Sequence, residues 1–171
     1  MNILQNIHAF DVQTFSWCMA RKHRAKLTNM GRAVSFTADG PLYAMLAALL
    51  WLNGYHTLVI IIAAGFALER VLYLILKRGF KRNRPADALD NFNSFIIPSD
   101  QFSFPSGHTS GAFFMAYCLS EWFPGLNLVL YFWAMNVGLS RIFLGVHFPT
   151  DTVIGALLGS ACAGLMIGVL V

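Results

Sequence analysis

Apolar stretches separated by short polar breaks occupy most of the chain. Five of them approach the roughly 20 predominantly apolar residues that a helix needs to cross a bilayer. Their approximate bounds are residues 35–53, 56–77, 108–123, 125–145 and 150–171. This pattern predicts an all-α fold, a polytopic membrane helix bundle with about five spanning helices.

The first 34 residues follow a different pattern, in which apolar and polar positions are interleaved. The segment is too polar to cross a bilayer and is rich in basic residues, which favours an amphipathic helix on the membrane surface. A mobile tail is the alternative. Asp11, and the lack of a basic start followed by an apolar core, indicate no cleavable signal peptide. We therefore divide the chain into an N-terminal amphipathic interfacial segment, residues 1–34, and a membrane-embedded domain, residues 35–171.

Composition supports a bilayer environment. Hydrophobic residues make up 57% of the 171 residues and charged residues 12%, whereas soluble domains carry about 25% charged residues. The net charge is +4, and most Lys and Arg residues fall within residues 21–32 and 77–84. In a chain this apolar, such clusters favour anionic lipid or phosphate over nucleic acid as the partner. Cys18, Cys118 and Cys162 lie far apart in apolar stretches, which predicts buried thiols and no zinc site or disulfide framework.

The first candidate for chemistry follows the second predicted span, where the sequence reads KRGFKRNRP from Lys77 to Pro85. A lysine presents a point charge and an arginine a planar fork of donors, and both suit a phosphate group. Basic residues at the end of a span also occur simply to fix topology or to contact anionic lipid. Taken alone, the cluster is compatible with either role.

The second candidate begins the third predicted span, at Pro105-Ser106-Gly107-His108. Unpaired backbone N–H groups at a helix N-terminus form an anion site. Ser106 is a natural cap that can donate its hydroxyl, and Gly107 lets the backbone approach a phosphate closely. His108 then lies beside the anion, where it can exchange a proton near neutral pH. Ordinary capping beside an interfacial histidine is the alternative.

The third candidate runs from Ser140 to Asp151. Arg141 lies late in an apolar helix, where a charge is costly without a partner or a function. Because proline is favoured in the first turn of a helix, Pro149 places His147 just outside the fifth span and Asp151 in its first turn. A carboxylate there can accept a bond from one imidazole nitrogen and leave the other as a nucleophile. A local His–Asp helix cap is the alternative.

All three candidates fall on one face of a five-span bundle, because alternate loops share a side of the membrane. Together they supply cations, a helix N-terminus, one histidine with an acidic partner and one without. The chain has no acidic cluster suited to Mg²⁺, so we expect no metal site and no other cofactor. The combination predicts metal-independent phosphoryl transfer within the lipid bilayer.

These residues resemble the three-part signature of the type 2 phosphatidic acid phosphatase family. The signature positions are filled, in order and at the family spacing, by Lys77 with Arg84-Pro85, by Pro105-Ser106-Gly107-His108, and by Ser140-Arg141 with His147 and Asp151. The resemblance covers approximately residues 35–170 and implies that residues 35–171 form a membrane-embedded phosphatase domain. The family also includes soluble vanadium haloperoxidases, which this apolar composition argues against.

The resemblance implies a role for each signature residue. His147 attacks phosphorus and forms a phosphohistidine, Asp151 orients it, and His108 protonates the leaving oxygen before helping to activate water. The phosphoryl oxygens are held by Lys77, Arg84, Ser106, Gly107 and Arg141. Such cations and N–H donors suit a transition state that spreads negative charge over those oxygens.

The expected function is that of an integral membrane lipid phosphate phosphatase. Candidate substrates are undecaprenyl diphosphate, phosphatidylglycerol phosphate and phosphatidic acid. A lipid phosphotransferase that uses the same histidine and a non-catalytic lipid-binding membrane protein are the alternatives. We expect a multi-pass protein of the inner (plasma) membrane, and no pattern in the chain sets an oligomeric state. The family's active site commonly faces the periplasm, whereas the positive-inside rule favours the cytoplasm for this basic face.

Three further expectations concern parts of the chain outside the signature. Residues 86–101 form a loop that is expected to help select the head group. Asp39 and the adjacent pair Glu69-Arg70 are expected to find structural partners. Gly155 and Gly159, four residues apart in the last span, are expected to let helices pack closely.

Overall fold

The computed structural model describes residues 3–170, and all regular structure in that range is helical. The helices are α1 Ile3–Met19, α2 Arg24–Phe36, α3 Gly40–Leu52, α4 His56–Phe80, α5 Pro85–Ala88, α6 Gly107–Trp122, α7 Asn127–Phe143 and α8 Pro149–Leu170. A short 3₁₀ turn, Pro124–Leu126, precedes α7. The predicted all-α class is confirmed.

Helix length and composition support three membrane spans, or four if one bent pair is counted. The three are His56–Ala88, which includes the short α5, Pro124–Phe143 and Pro149–Leu170. The bent pair is α2 and α3, whose axes differ by 42°. α6 has 16 residues, fewer than the roughly 20 that a bilayer requires, and it is enclosed by α4, α7 and α8. The number of about five spans stays a prediction.

The N-terminal segment contains two helices instead of the single amphipathic helix expected. α2 packs against α7 through a face of small residues, Thr28, Gly31 and Ser35. The boundary drawn between residues 34 and 35 lies inside α2. Small side chains at this three- and four-residue spacing let two helices approach closely, and a hydropathy pattern does not register them. The division into an interfacial segment and a membrane domain stays a prediction.

The bundle is apolar outside and carries charged groups inside. Leu128 and Phe132 on α7 are 89% and 66% exposed, whereas Glu69 on α4 and Arg141 on α7 are 1% and 4% exposed. Charged residues in membrane proteins face the bundle interior in this way, because hydrocarbon does not solvate them. The surface is therefore suited to lipid, and the interior contains the groups that can do chemistry.

Two glycines fix the distance between α6 and α8. A Cβ atom at Gly155 would lie 2.5 Å from the carbonyl oxygen of Ser106, and one at Gly159 would collide with the carbonyl oxygen of Ser110. The predicted close packing is confirmed. It brings the start of α6 next to the start of α8, where the backbone N–H of Ser106 donates to the carbonyl oxygen of Asp151 at 3.0 Å.

Replacing Gly159 by alanine is expected to destabilise the bundle, because the added methyl group meets backbone atoms of α6 that cannot rotate away. Overpacking of this kind costs about 1–3 kcal/mol. Gly168→Ala is the matched control on the same helix, since nothing lies within 4 Å of a Cβ there. Thermal denaturation in detergent should show a lower midpoint for Gly159→Ala alone. Equal midpoints for the two variants would contradict the close packing of α6 and α8.

Candidate active site

The three sequence motifs meet at one end of the bundle, around a cavity of about 690 Å³. Six of the eight predicted site residues line it: Lys77, Arg84, Gly107, His108, Arg141 and His147. The side chains of Ser106 and Asp151 are fully buried behind them. Residues from all three motifs therefore converge at one cavity.

Two predicted phosphate-binding cations hold a carboxylate between them. Lys77, in the last turn of α4, donates to Asp100 Oδ1 and Oδ2 at 2.8 and 2.9 Å. Lys81 then adopts a left-handed conformation with φ 47°, which ends the helix and turns the chain. Arg84 lies beyond that turn and donates through Nη2 to Asp100 Oδ1 at 2.5 Å. Asp100 thus occupies an anion-binding position formed by Lys77 and Arg84.

The surroundings of Asp100 favour its charged form. Burial by itself raises the pKa of this carboxyl group, but hydrogen bonds from Lys77 and Tyr73 outweigh burial and lower the pKa to about 2. The Tyr73 hydroxyl donates to Oδ2 at 2.5 Å. Tyr73 precedes Lys77 by four residues and therefore shares its helix face. The position between these side chains is built for a negative charge.

Arg141 has hydrogen-bonding capacity to spare. Its Nη1 donates to the Ser35 hydroxyl at 2.6 Å, and its Nε is buried without a hydrogen-bond partner among the described residues. Buried donors are nearly always paired, so an unpaired one on a charged side chain that lines the cavity is unusual. Arg141 can therefore still bind an anion there.

The start of α6 contributes backbone more than side-chain donors. Ser106 occupies the N-cap position, but its hydroxyl shares a 2.8 Å hydrogen bond with Thr109 Oγ1 and makes no cap to the helix backbone. A Cβ atom at Gly107 would approach Tyr73 to 3.0 Å. The expected hydroxyl cap is not formed, and glycine leaves the backbone of this turn open to the cavity.

His108 has an acidic partner that the sequence did not identify. Its Nε2 lies 2.9 Å from Asp39 Oδ1, and Asp39 is the residue that precedes α3. Asp39 is therefore paired as expected, but with a predicted site residue, and the expectation that only one of the two histidines has an acidic partner is wrong. Glu69 has no such partner, since neither carboxylate oxygen makes a hydrogen bond with the described residues. The adjacent Arg70 points elsewhere, with its guanidinium 4.9 Å from the centre of the Tyr73 ring.

His147 lies in the turn between α7 and α8. Gly145, with φ 75°, reverses the chain after α7, and Arg84 Nη1 donates to the Val146 carbonyl oxygen at 2.6 Å. His147 Nδ1 lies 3.8 Å from Asp151 Oδ2, which is longer than the 2.7–3.2 Å of an N–H···O hydrogen bond. The expected hydrogen bond is therefore not formed in this structure, although the two groups lie close together. Nε2 is the ring nitrogen on the side away from Asp151.

Other donors hold Asp151 in place. Oδ1 accepts from Arg82 Nη1 at 2.7 Å. Oδ2 accepts from the Phe148 backbone N–H at 2.7 Å and from the Ser103 hydroxyl. The carboxylate is fully buried, so these bonds offset the loss of water around its charge. Asp151 is thereby fixed beside the His147 ring.

Sequence reasoning left several of these contacts unassigned. In the sequence, Arg82 is one of several charges in a basic cluster and Tyr73 is one residue of an apolar span, so neither was assigned a role. The four-residue spacing of Tyr73 from Lys77 was a usable signal, because it predicts that the two side chains share a helix face. Among residues 3–170, no group of three or more His, Cys, Asp or Glu side chains is arranged to hold a metal ion. The three cysteines are free and buried, as predicted.

Fold and site together define a class, a membrane helix bundle whose cations and two histidines face one cavity near its end. Residues 57–170, more than half of the chain, match the PAP2 superfamily. The chain therefore belongs to this superfamily, and the resemblance noted in its sequence is confirmed.

Individual relatives agree with this assignment. The chain is similar to the lipid A 1-phosphatase of Rhizobium johnstonii, with 32% identity over 116 residues, which is 64% of this chain and 44% of that protein. It superposes on the crystal structure of Aquifex aeolicus LpxE with a TM-score of 0.81 and 30% identity, covering 92% and 94% of the two chains.

A second solved structure supports the membrane fold. It is a transmembrane PAP2-type phosphatidylglycerolphosphate phosphatase from Bacillus subtilis, with a TM-score of 0.74, 24% identity and coverage of 99% and 87%. The chain spans about half the length of the curated relatives it matches. With its apolar helices, this likeness identifies the chain as a multi-pass membrane protein.

His147 is expected to stay neutral in moderately acidic solution. Burial lowers its pKa from 6.5 to about 4, although the neighbouring Asp151 carboxylate acts in the opposite direction. A lowered pKa means that the ring takes up a proton only in more acidic solution, so the unprotonated form persists between pH 6.5 and 4. An NMR titration, with the signal assigned by its loss in His147→Gln, measures the midpoint. A midpoint near 6.5 would show that water reaches the ring.

Proposed function

We propose that this protein is a lipid phosphate phosphatase that acts on its substrate within the bilayer. The observation that carries the proposal is the character of the cavity. Its polar end holds both histidines and the cations, and its other part, between α3 and α4, is lined by Ala44, Ala47, Val59, Ile62, Ala63 and Phe66. A phosphate group suits the first part and a hydrocarbon chain suits the second.

The named relatives support a lipid as the substrate. One is a lipid A 1-phosphatase and another a phosphatidylglycerolphosphate phosphatase. The candidate substrates are undecaprenyl diphosphate, phosphatidylglycerol phosphate and phosphatidic acid, to which lipid A is added. We further propose that the loop at residues 86–101, whose Asp100 accepts a hydrogen bond from Lys77, helps to select the head group. We propose that the protein resides in the inner (plasma) membrane. Recovery of the full-length protein in another membrane fraction would overturn that location.

In the proposed first step, His147 Nε2 attacks phosphorus in line with the leaving oxygen. A P–N bond forms, the P–O bond to the lipid breaks, and the leaving oxygen takes a proton from His108. Lys77, Arg84 and Arg141 stabilise the charge on the other phosphoryl oxygens, as preset cations do in phosphoryl transfer. Because these side chains supply the positive charge, the reaction needs no metal ion.

In the second step, water attacks the phosphohistidine. His108 takes a proton from the water, the P–N bond breaks, and inorganic phosphate leaves. Burial disfavours the protonated His108 ring that the first step requires, and Asp39, whose Oδ1 lies 2.9 Å from Nε2, partly offsets that effect. Asp151 stabilises the positive charge that the His147 ring acquires, and a shortening of their separation by roughly 0.6–1 Å gives a hydrogen bond.

Substrate binding displaces Asp100 in this scheme. Its carboxylate is held by Lys77 and Arg84, which are the side chains assigned to the phosphoryl oxygens. A phosphoryl group carries more charge and more acceptor oxygens than a carboxylate, so it can replace Asp100 on these cations. The loop that carries Asp100 then moves when substrate enters.

The function is tested by phosphate release from purified protein in detergent with EDTA present. The substrate panel comprises phosphatidic acid, phosphatidylglycerol phosphate, undecaprenyl diphosphate and lipid A. His147→Ala is expected to lower kcat by at least about 10³-fold, because the nucleophile is removed. Glu121→Gln, exposed at the far end of α6, serves as the control with wild-type activity.

Several outcomes would contradict the proposal. Full activity in His147→Ala would exclude the phosphohistidine, and complete loss of activity in EDTA would exclude the metal-independent route. Radiolabel that moves from the substrate to an acceptor lipid, instead of to free phosphate, would identify a phosphotransferase.

Asp100→Asn is expected to tighten the binding of inorganic phosphate. The substitution removes a competing negative charge from Lys77 and Arg84 while keeping the size of the side chain. Hydrogen bonds to charged groups contribute about 1.5–3 kcal/mol, so the dissociation constant should fall about tenfold. Calorimetry measures it, and Asp90→Asn, exposed on the same loop, is the control. Weaker phosphate binding in Asp100→Asn would mean that Asp100 orients the cations and does not compete.

A further inference from the structure

A fully buried carboxylate on α1 lies outside the site described above. Asp11 has no exposed surface, and Phe15 and Cys18, four and seven residues further along, are buried on the same helix face. Burying a carboxylate is strongly unfavourable unless it is paired and hydrogen-bonded. The contacts of Asp11 therefore indicate why it is there.

Asp11 is hydrogen-bonded to the start of α8. Its Oδ1 accepts from the backbone N–H of Thr150 at 2.9 Å. Its Oδ2 accepts from the Thr150 hydroxyl and from Arg82 Nη2, the latter at 2.6 Å. Thr150 directly precedes Asp151, so α1 is held against the turn that carries the acidic partner of His147.

Arg82 connects Asp11 with Asp151. Its Nη1 donates to Asp151 Oδ1 at 2.7 Å and to Thr150 Oγ1 at 2.8 Å. Its guanidinium lies over the Phe148 ring, 4.6 Å from the ring centre. Because a guanidinium is planar and rigid, holding one nitrogen fixes the direction of the other. Asp11 therefore bears on the position of Asp151 Oδ1 through Arg82, while Phe148 and Ser103 hold Oδ2.

The charges along these contacts bear on the reaction. Asp11 and Asp151 share the one positive charge of Arg82. When His147 attacks phosphorus, its ring becomes cationic. Asp151 stabilises that cation more strongly when the charge of the Asp151 carboxylate is less neutralised by Arg82. Removing the charge of Asp11 leaves the guanidinium to Asp151 alone. The cationic ring of His147 is then less stable and the transition state is higher in energy.

We propose that Asp11 is a positioning residue for the His147–Asp151 pair and acts on it through Arg82. The proposal rests on the proposed role of His147 as the nucleophile. It assigns the N-terminal helix to the catalytic apparatus in addition to any contact with the membrane surface.

Asp11→Asn in the full chain tests the proposal, because it keeps the size of the side chain and removes the charge. We expect kcat for lipid phosphate to fall about 10-fold, at the lower end of the roughly 10- to 100-fold losses found for the supporting partners of metal ligands, because Asp11 reaches His147 only through Arg82 and Asp151. KM should not change, since no substrate contact is altered. Glu121→Gln is the control that also removes one carboxylate. A wild-type kcat per folded molecule in Asp11→Asn would overturn the proposal, even if the thermal midpoint fell.

Arg82→Gln provides a second, independent variant. It cuts the connection to Asp151 while Thr150 still holds Asp11, so it stays informative if Asp11→Asn does not fold. We expect kcat to fall here as well, because Asp151 loses the donor that holds Oδ1 in place, and this loss of position outweighs the gain from a carboxylate that Arg82 no longer neutralises. Because the two residues act as one unit, adding Asp11→Asn to Arg82→Gln should change kcat by less than about twofold. Losses that multiply would mean that Asp11 only attaches α1 to the bundle.

Anion binding separates this proposal from the proposed function. Orthovanadate accepts a fifth bond from a nucleophile and so resembles the transition state, whereas inorganic phosphate does not. Calorimetry should show vanadate binding weakened about tenfold in Asp11→Asn and phosphate binding changed by less than about twofold. If Asp11→Asn shows this pattern but the wild type does not turn over lipid phosphate, the proposed function is contradicted and the role of Asp11 is supported. If the wild type turns over lipid phosphate but Asp11→Asn binds vanadate as tightly as the wild type does, the proposed function is supported and the role of Asp11 is contradicted.

Discussion

Positively charged side chains are buried inside this bundle, and pairing them is the constraint on which the site depends. Moving one ion out of water costs several kcal/mol unless a counter-charge and hydrogen bonds offset it. Lys77 and Arg84 share Asp100, and Arg82 is shared by two carboxylates. Arg141 donates a hydrogen bond to an uncharged group, the Ser35 hydroxyl, and its Nε has no hydrogen-bond partner among the described residues. The demand for negative charge is therefore greatest at Arg141, beside the two histidines.

Spacing in the sequence was enough to find the groups that we propose for the chemistry, but it could not find the groups that hold them. His147, Asp151 and the three cations belong to short motifs, within each of which the residues lie close together in the sequence. Their supporting partners are remote: Asp39 is 69 residues from His108, and Asp11 is 139 residues from Thr150. Periodicity shows which helix face a side chain occupies. It does not show which other helix that face meets, so such pairs emerge only from the fold.

The arrangement of helices was predicted in class but not in detail, and the reasons are physical. Hydropathy reports transfer into lipid and marked five apolar stretches, of which only those in α4, α7 and α8 are long and apolar enough to span a membrane as single helices. α6 is enclosed by other helices and has no need of full spanning length. α2 packs through small residues that are neither clearly polar nor apolar. Both helices are defined by their neighbours more than by the bilayer.

The backbone hydrogen bond from Ser106 to Asp151, together with the glycine contacts of α6 and α8, divides the site into two mechanical parts. A backbone hydrogen bond joins the turn that carries His108 to the start of α8, next to the turn that carries His147, and these two turns form the first part. The second part consists of the cations at the end of α4 and before α5, which contact the first part through side chains and through the loop that carries Asp100. We propose that a change in that loop alters which head group is accepted, while the main-chain hydrogen bond keeps the two turns that carry the histidines at the same spacing.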